Sequence, residues 1–264
     1  MNFESKTILI TGASSGIGEA LSLEWSKCST KLILAGRNIE KLQKVKQKCE
    51  LAGSQCQVIP LDLTDKLSIQ SAVQQIIQTN QRIDILVNNG GISQRSRSLE
   101  TPIEVDRTVM ETNFFGAISL TKLILPVMVK QGGGHIVVIS SVVGKFGFPL
   151  RTAYSASKHA LQGYFESLRA EMTAEHIRVS IVSPGRIRTS ISINAVDKNG
   201  NKHGVMDAGQ EDGMPAELCA KKIISAVSRN KKDILIGRKE ILMVYIRKYF
   251  PALYYKLASK VKPT

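Results

Sequence analysis

Tyr154-Ser155-Ala156-Ser157-Lys158 places a phenol and an ammonium four residues apart. On a helix, positions i and i+4 share a face, with Cβ atoms about 5–6 Å apart. A free phenol has a pKa of about 10, too high for useful proton exchange near neutrality. A fixed positive charge beside it stabilises the phenolate and lowers that value. A phenol tuned in this way serves as a general acid or base. Of the six tyrosines, Tyr154 alone has a lysine four positions on. The pair by itself occurs in many unrelated helices, so the chain upstream of it decides what it means.

The second stretch with chemistry in it is Thr11-Gly12-Ala13-Ser14-Ser15-Gly16-Ile17-Gly18. It lies between a β-type apolar run, Thr7–Ile10, and a helical pattern from Ile17 to Lys27. Glycines let the backbone turn sharply and approach a ligand, and the helix N-terminus then offers unpaired N–H groups to a pyrophosphate. Glycine-rich turns also serve as plain connections. A strand before it, a helix after it and a place at the start of the chain make this one a nucleotide site.

The elements that must hold these residues alternate. Strand-like runs at 31–35, 57–61, 83–87, 135–139, 178–182 and 233–236 follow the first, separated by helical patterns near 38–51, 65–79, 105–129 and 152–174. Pro60 marks its strand as an edge strand or a strand end. Alternation of this kind implies right-handed βαβ units. The nearly continuous hydrophobic strands imply a parallel sheet covered on both faces. The expected fold is a single-domain Rossmann α/β fold: a doubly wound parallel sheet of about seven strands flanked by helices. Residues 1–237 form the catalytic domain, and 238–264 a basic amphipathic C-terminal extension. The polar stretch 186–214 lacks periodicity and reads as a mobile lid over a substrate.

Composition narrows the class. The chain has 264 residues, of which 43% are hydrophobic, ample for one large α/β core. Its four cysteines, Cys28, Cys49, Cys56 and Cys219, form no CxxC pair, and no metal-ligand cluster is visible, which points to a reducing compartment. Met1 to Lys6 carries Glu4 and runs straight into a strand, unlike a secretory leader. No apolar run is expected to reach the roughly 20 residues that span a bilayer. The net charge of +14 is unevenly placed: residues 221–264 hold 12 Lys or Arg against 2 Asp or Glu.

The glycine spacing G-x-x-x-G-x-G, with Asp62-Leu63, Asn88-Asn89-Gly90-Gly91, Asn113, Ser141, Tyr154 with Lys158, and Pro184-Gly185 with Thr189, resembles the short-chain dehydrogenase/reductase family in order and spacing over about residues 5–237. The resemblance implies a nicotinamide-dependent oxidoreductase acting on a carbonyl or secondary alcohol. It assigns Tyr154 as the proton donor or acceptor and Ser141 as the group that holds the carbonyl oxygen, in preference to Ser140. Lys158 is assigned to acidify Tyr154 and hold the nicotinamide ribose, and Asn113 to position a water for the proton relay. Cofactor contacts are expected from Gly12, Ser14, Ser15, Gly16, Ile17, Gly18, Asp62, Leu63, Asn89, Gly90, Tyr154, Lys158, Pro184, Gly185, Ile187 and Thr189. Gly90 stands where the family usually has alanine, and loss of that methyl should do no harm. A carboxylate at the end of the second strand would favour a ribose 2′-hydroxyl and repel a 2′-phosphate. Here the strand ends Ala35-Gly36-Arg37-Asn38, and the Arg37 fork suits a phosphate. NADP(H) is therefore expected over NAD(H), resting on Arg37 with help from Ser14 and Asn38.

Other expectations follow. His159 lies about 100° from Lys158 on the helix and is read as structural. The tail alternates basic and aromatic residues from Ile241 to Lys262. It suits packing against the body or a sister subunit in a homodimer or homotetramer, and it also suits peripheral contact with an anionic membrane surface. No nucleic-acid partner is expected, and the protein is read as cytoplasmic with membrane contact through the tail. A rival reading, an NADP(H)-sensing or membrane-surface binding protein that lost turnover, is opposed by the intact Asn113, Ser141, Tyr154 and Lys158.

Overall fold

The structure, a computed structural model, describes residues 2–260. Met1, at the start of the expected catalytic domain, and residues 261–264, at the end of the expected basic tail, lie outside the described residues.

The first half alternates β1 (Thr7–Thr11), α1 (Gly16–Ser26), β2 (Lys31–Gly36), α2 (Ile39–Leu51), β3 (Gln55–Pro60), α3 (Lys66–Thr79) and β4 (Ile85–Asn88). Next come α4 (Ile103–Met110) and α5 (Gly116–Lys130), joined without a break by a π-turn at Glu111–Phe115. Then follow β5 (Gly134–Ile139), α6 (Thr152–Glu171), β6 (Ile177–Pro184), β7 (Ile187–Arg188), α7 (Ala208–Glu211), β8 (Met214–Pro215), α8 (Ala216–Ser228) and β9 (Asp233–Ile236). Two short helices, α9 (Leu242–Tyr249) and α10 (Pro251–Ala258), end the described chain.

Seven strands pair in parallel in the order β3-β2-β1-β4-β5-β6-β9. The order reverses between β1 and β4, and such a switch point leaves a crevice outside the carboxyl ends of the strands. Strand alternation divides the core. Ile8, Ile10, Leu32 and Leu34 pack with Leu21, Trp25, Leu42 and Ile223 on one face. Leu9, Ile33 and Leu86 pack with Ile76, Leu120, Leu161 and Phe165 on the other. β3 is an edge strand and Pro60 its last residue, so the missing N–H disrupts no interior ladder.

Three features depart from the sequence expectations. Helix α8 is not among the expected elements, yet a parallel β6–β9 pair needs a crossover, and Cys219, Ala220, Ile223 and Val227 supply its buried face. The 186–214 segment is not structureless. It holds β7, α7 and β8, and Val196 bridges to Gln94 and Lys202. Finally, Ile103–Lys130 forms 28 residues of continuous helix with a mean hydropathy of 1.5 in its most apolar window, long and apolar enough by length and composition to cross a bilayer. Part of that apolar face is used in the fold: Leu120, Ile124 and Met128 are buried against the sheet.

Candidate active site

The glycine loop is shaped by contacts that leave no room for side chains. Gly12 and Gly16 have φ of +63° and +59°, a region open to glycine at no steric cost. A Cβ on Gly12 would lie 2.9 Å from the Gly90 Cα. Gly18 packs against the loop, where a Cβ would strike the Gly12 carbonyl oxygen and the Asn89 amide. Its role is to let α1 approach the loop. Thr11 organises the junction. Its Oγ1 accepts from the Asn89 and Gly90 N–H groups at 3.0 and 2.8 Å, and Asn89 Nδ2 donates to the Thr11 carbonyl at 2.9 Å. A Cβ on Gly90 would approach the tip of Leu63 to 2.7 Å, so here leucine occupies the space that an alanine methyl would take.

The loop, the strand ends and the segment after β6 enclose a cleft of about 1030 Å³. It is lined by Gly12, Ser14, Ser15, Gly16 and Ile17, by Asp62, Leu63, Asn89 and Gly90, and by Pro184, Gly185, Ile187 and Thr189. Arg37, Asn38 and Lys41 line its far end. Asn38 caps α2, its Oδ1 accepting from the Lys41 N–H at 2.9 Å, and Lys41 lines the cleft together with Arg37 as a second cation not expected from the sequence. Asp65 caps α3 by accepting from the Leu67 N–H at 2.8 Å, so Asp62 is free of that duty. Burial pushes the Asp62 carboxyl up, but two hydrogen bonds from Thr64 and the Arg37 charge outweigh it and hold the group below its usual value.

Tyr154 and Lys158 lie in the first two turns of α6 and are almost fully buried. Gln94 Oε1 accepts from the Ala153 N–H at 2.9 Å, satisfying one unpaired donor at the start of that helix. Lys158 Nζ donates to the Ile139 carbonyl at 2.9 Å and stands 5.6 Å from the Tyr154 ring centroid. Burial lowers its pKa to about 8. Burial also pushes the Tyr154 phenol up; a hydrogen bond with Ser141 and the charges of Arg95 and Arg151 oppose it. Burial prevails, and the phenol is held above its ordinary value.

The two candidate serines separate cleanly. Ser140 Oγ donates to the Lys158 carbonyl at 3.1 Å and accepts from Gln162, and it is buried under α6. Ser141 Oγ donates to the Pro184 carbonyl at 3.4 Å and lines the cleft together with Tyr154. Asn113 lies within the long helix, as expected. It sits on the π-turn, does not line the cleft, and brackets Ile92: its Oδ1 accepts from the Ile92 N–H at 2.8 Å, while Nδ2 donates to the Ile92 carbonyl at 2.9 Å and to Ser157 Oγ at 3.0 Å. A methyl on Gly91 would press on its Oδ1 at 2.8 Å. His159 turns away as expected and meets the Ser155 carbonyl at 2.8 Å.

Two further walls of the cleft were not legible in the sequence. Met243, Tyr254 and Ala258 of α9 and α10 line it, with Tyr254 donating to the Gly147 carbonyl at 2.6 Å and packing on Phe146. Arg95, Arg151 and Asp207 line it beside Tyr154.

The switch-point crevice, the glycine turn and the buried tyrosine–lysine pair define a nucleotide-binding α/β oxidoreductase. A family model described as "short chain dehydrogenase" matches residues 6–200. The chain is 42% identical over 99% of its length to "Dehydrogenase/reductase SDR family member 7B" of Danio rerio, covering 87% of that protein. It is also 42% identical to "Dehydrogenase/reductase SDR family protein 7-like" of Drosophila melanogaster, over 97% of this chain and 80% of that one. Among solved structures, a short-chain dehydrogenase from Streptomyces avermitilis superposes with a TM-score of 0.82 at 28% identity, covering 97% of this chain and 96% of that one. A Burkholderia phymatum member in complex with NAD gives 0.86 at 22%, covering 100% and 98%, a likeness of fold. This chain belongs to the short-chain dehydrogenase/reductase family of oxidoreductases.

Proposed function

We propose that this chain is an NADP(H)-preferring reductase or dehydrogenase of a carbonyl or secondary alcohol. The observation that carries the reading is one continuous cleft lined by the glycine cradle, by Arg37, Lys41 and Asp62, and by Ser141 with Tyr154. The residues fit a dinucleotide: Gly12 and Gly16 turn the loop at φ of +63° and +59° with no side chain over it, and Ser15, at the start of α1, makes no side-chain cap, leaving N–H groups free for a phosphate. When bound, the nicotinamide supplies or accepts the hydride at the substrate carbon.

The chain's own residues do the rest. Ser141 and Tyr154 present hydroxyls to the carbonyl oxygen, where negative charge grows during reduction. Tyr154 gives its proton to that oxygen, and in the reverse direction takes it back. Lys158 holds the nicotinamide ribose. Arg37 and Lys41 accept the 2′-phosphate. Asn113, which braces Ile92 against α6, positions a water for the proton relay. A screen of diverse ketones with NADPH and with NADH tests the reading. Turnover should favour NADPH, and Tyr154→Phe should cut it by about 10²–10⁴-fold while NADPH binding persists. Undiminished turnover in Tyr154→Phe would refute the proton-transfer role, and equal kcat/KM with NADH would remove the NADP(H) preference.

A specific observation favours peripheral membrane contact for an otherwise cytoplasmic protein. Leu242, Tyr245, Tyr249, Phe250, Leu253 and Tyr255 are exposed on α9 and α10, interspersed with Arg247, Lys248 and Lys256. An apolar, aromatic face with basic flanks suits an anionic lipid surface. Self-association as a homodimer or homotetramer is proposed from exposed Ile103, Phe115, Leu123 and Val129 along α4 and α5. Sedimentation equilibrium reads it directly, and a monomer mass at micromolar concentration would remove it.

A further inference from the structure

Arg95, Arg151 and Asp207 line the same cleft as Tyr154, and the chemistry above leaves them without a role. They come from three separate places: the loop after β4, the residue before α6, and the residue before α7 in the segment after β7. Arg95 Nε donates to Asp207 Oδ1 and Oδ2 at 3.1 and 3.0 Å, and its Nη2 to Oδ2 at 2.6 Å. Arg95 Nη1 donates to Ser93 Oγ at 2.7 Å and to the Gln94 carbonyl at 2.6 Å. Arg151 Nη2 donates to the same Asp207 Oδ2 at 2.7 Å. The side chains of Arg95, Asp207 and Arg151 are 3%, 6% and 13% exposed.

Two guanidiniums share one carboxylate, so the group carries one net positive charge. Among the described residues no second acid pairs with either arginine. A buried charge left uncompensated is costly. The two arginines are not equally occupied. Every nitrogen of Arg95 is engaged. Of the Arg151 nitrogens, only Nη2 meets an acceptor among the described residues, and the guanidinium lies 4.8 Å over the Phe148 ring. Its Nε and Nη1 are left to donate, on a residue that lines the cleft. Such N–H groups form a planar fork that fits carboxylate or phosphate oxygens. Burial and the Arg95 charge bring the Arg151 pKa down to about 10 despite Asp207, so the group stays charged at neutral pH.

The surroundings indicate what carries the missing anion. Tyr154 packs in an apolar cluster with Val142, Phe146 and Tyr254, against which Phe148 and Met243 also lie, and all of these line the cleft. Arg151 is fixed three residues before Tyr154 by the first turn of α6, where the Ser155 N–H donates to the Arg151 carbonyl at 2.7 Å. In the reading above, the glycine cradle with Arg37 and Lys41 takes the phosphates of the dinucleotide, which leaves the Arg151 fork for the compound that reacts at Tyr154. We propose that Arg151, backed by Arg95 and oriented by Asp207, is a specificity residue that binds an anionic group, carboxylate or phosphate, on an otherwise apolar carbonyl or alcohol substrate. The inference rests on the oxidoreductase reading for what happens to that compound; the anion site stands on the arginine pair. An acidic substrate supplies the charge the cluster lacks, and a neutral one leaves the Arg151 donors unmet.

The test reads binding and needs no turnover, so it fails separately from the reductase reading. Octanoate, octyl phosphate and the neutral isostere octanamide are titrated calorimetrically into the full chain, free and saturated with NADP⁺. The better of the two anions should bind about 10- to 100-fold tighter than octanamide. Which anion binds tighter tells a phosphate-bearing from a carboxylate-bearing substrate, and either order supports the site. Arg151→Gln should erase the preference for the anion over the amide. Arg151→Lys, which keeps the charge and loses the fork, should retain only part of it. The ratio is what decides, because a merely structural role for Arg151 would weaken anion and amide alike. Octanamide binding as tightly as both anions would overturn the proposal without any variant, as would a preference that survives Arg151→Gln. Should Arg151→Gln fail to fold, Arg151→Lys takes its place, and an unchanged preference there would overturn the site.

Discussion

Charging Lys158 inside the protein works against folding. The amine ordinarily titrates near 10.5, and burial brings it to about 8. Between those two values the unfolded chain binds more protons than the folded one, so this residue's contribution to stability rises with pH across that window. Below about 8 both states are protonated and the full penalty stands. Lys158→Met should therefore stabilise the fold at pH 7 by on the order of 3 kcal/mol, flatten the rise between pH 8 and 10.5, and abolish turnover. Urea denaturation at several pH values checks it, and an unchanged pH slope would show that the ammonium is not desolvated. At the same scale, the sequence could single out Tyr154 and Lys158 by their spacing. It could not single out Arg95, Arg151 or Asp207, because a loop arginine looks the same whether solvated or buried. Nor could spacing show that the Asn113 amide is spent on the Ile92 backbone, a partner 21 residues away.

At the scale of elements, the loop between β1 and α1 is stabilised by what is missing from it. A methyl on Gly18 would meet the Gly12 carbonyl oxygen and the Asn89 amide, backbone and a bonded side chain that cannot give way easily. Gly18→Ala should cost about 1–3 kcal/mol and loosen cofactor binding. Gly163, within α6, has nothing near its Cβ position, and Gly163→Ala should add about 0.5–1 kcal/mol by removing the helix penalty of glycine. Thermal melts of the two variants with and without NADPH separate the cases; equal effects would mean that the loop relaxes freely. Strand and helix positions were readable because hydrophobic period reports burial face. Helix α8 was harder to read because three of its buried positions are the alanines 216, 220 and 226, whose small apolar surface blunts the period. The 186–214 segment has no such period: what orders it is a bridge to Gln94 and ion pairs to Arg95 and Arg151, all partners distant in sequence.

At the scale of the molecule, the C-terminal helices face two ways. Tyr254, Met243 and Ala258 close the cleft, while Tyr249, Phe250 and Tyr255 point an exposed aromatic face outward between basic residues. If that face rests on lipid, the chain should sediment with anionic vesicles at low salt, and about 0.5 M salt should release much of it, since screening shortens the reach of surface charge. Phe250→Ser with Tyr249→Ser should weaken binding at both salts. Absence of salt-sensitive binding would leave the helices as a cover for the cleft alone.

The sequence by itself determined the class of sheet, the glycine turn and the reacting pair, because each is encoded in local spacing: period two or 3.6 for burial, three glycines for a backbone approach, four residues for one helix face. The tertiary structure alone decided which cations meet Asp207, which serine is buried under α6 and what walls the cleft. Those depend on side chains that meet across long gaps in the chain, 112 residues between Arg95 and Asp207 and 107 between Tyr254 and Gly147, and no local pattern records a meeting of that kind.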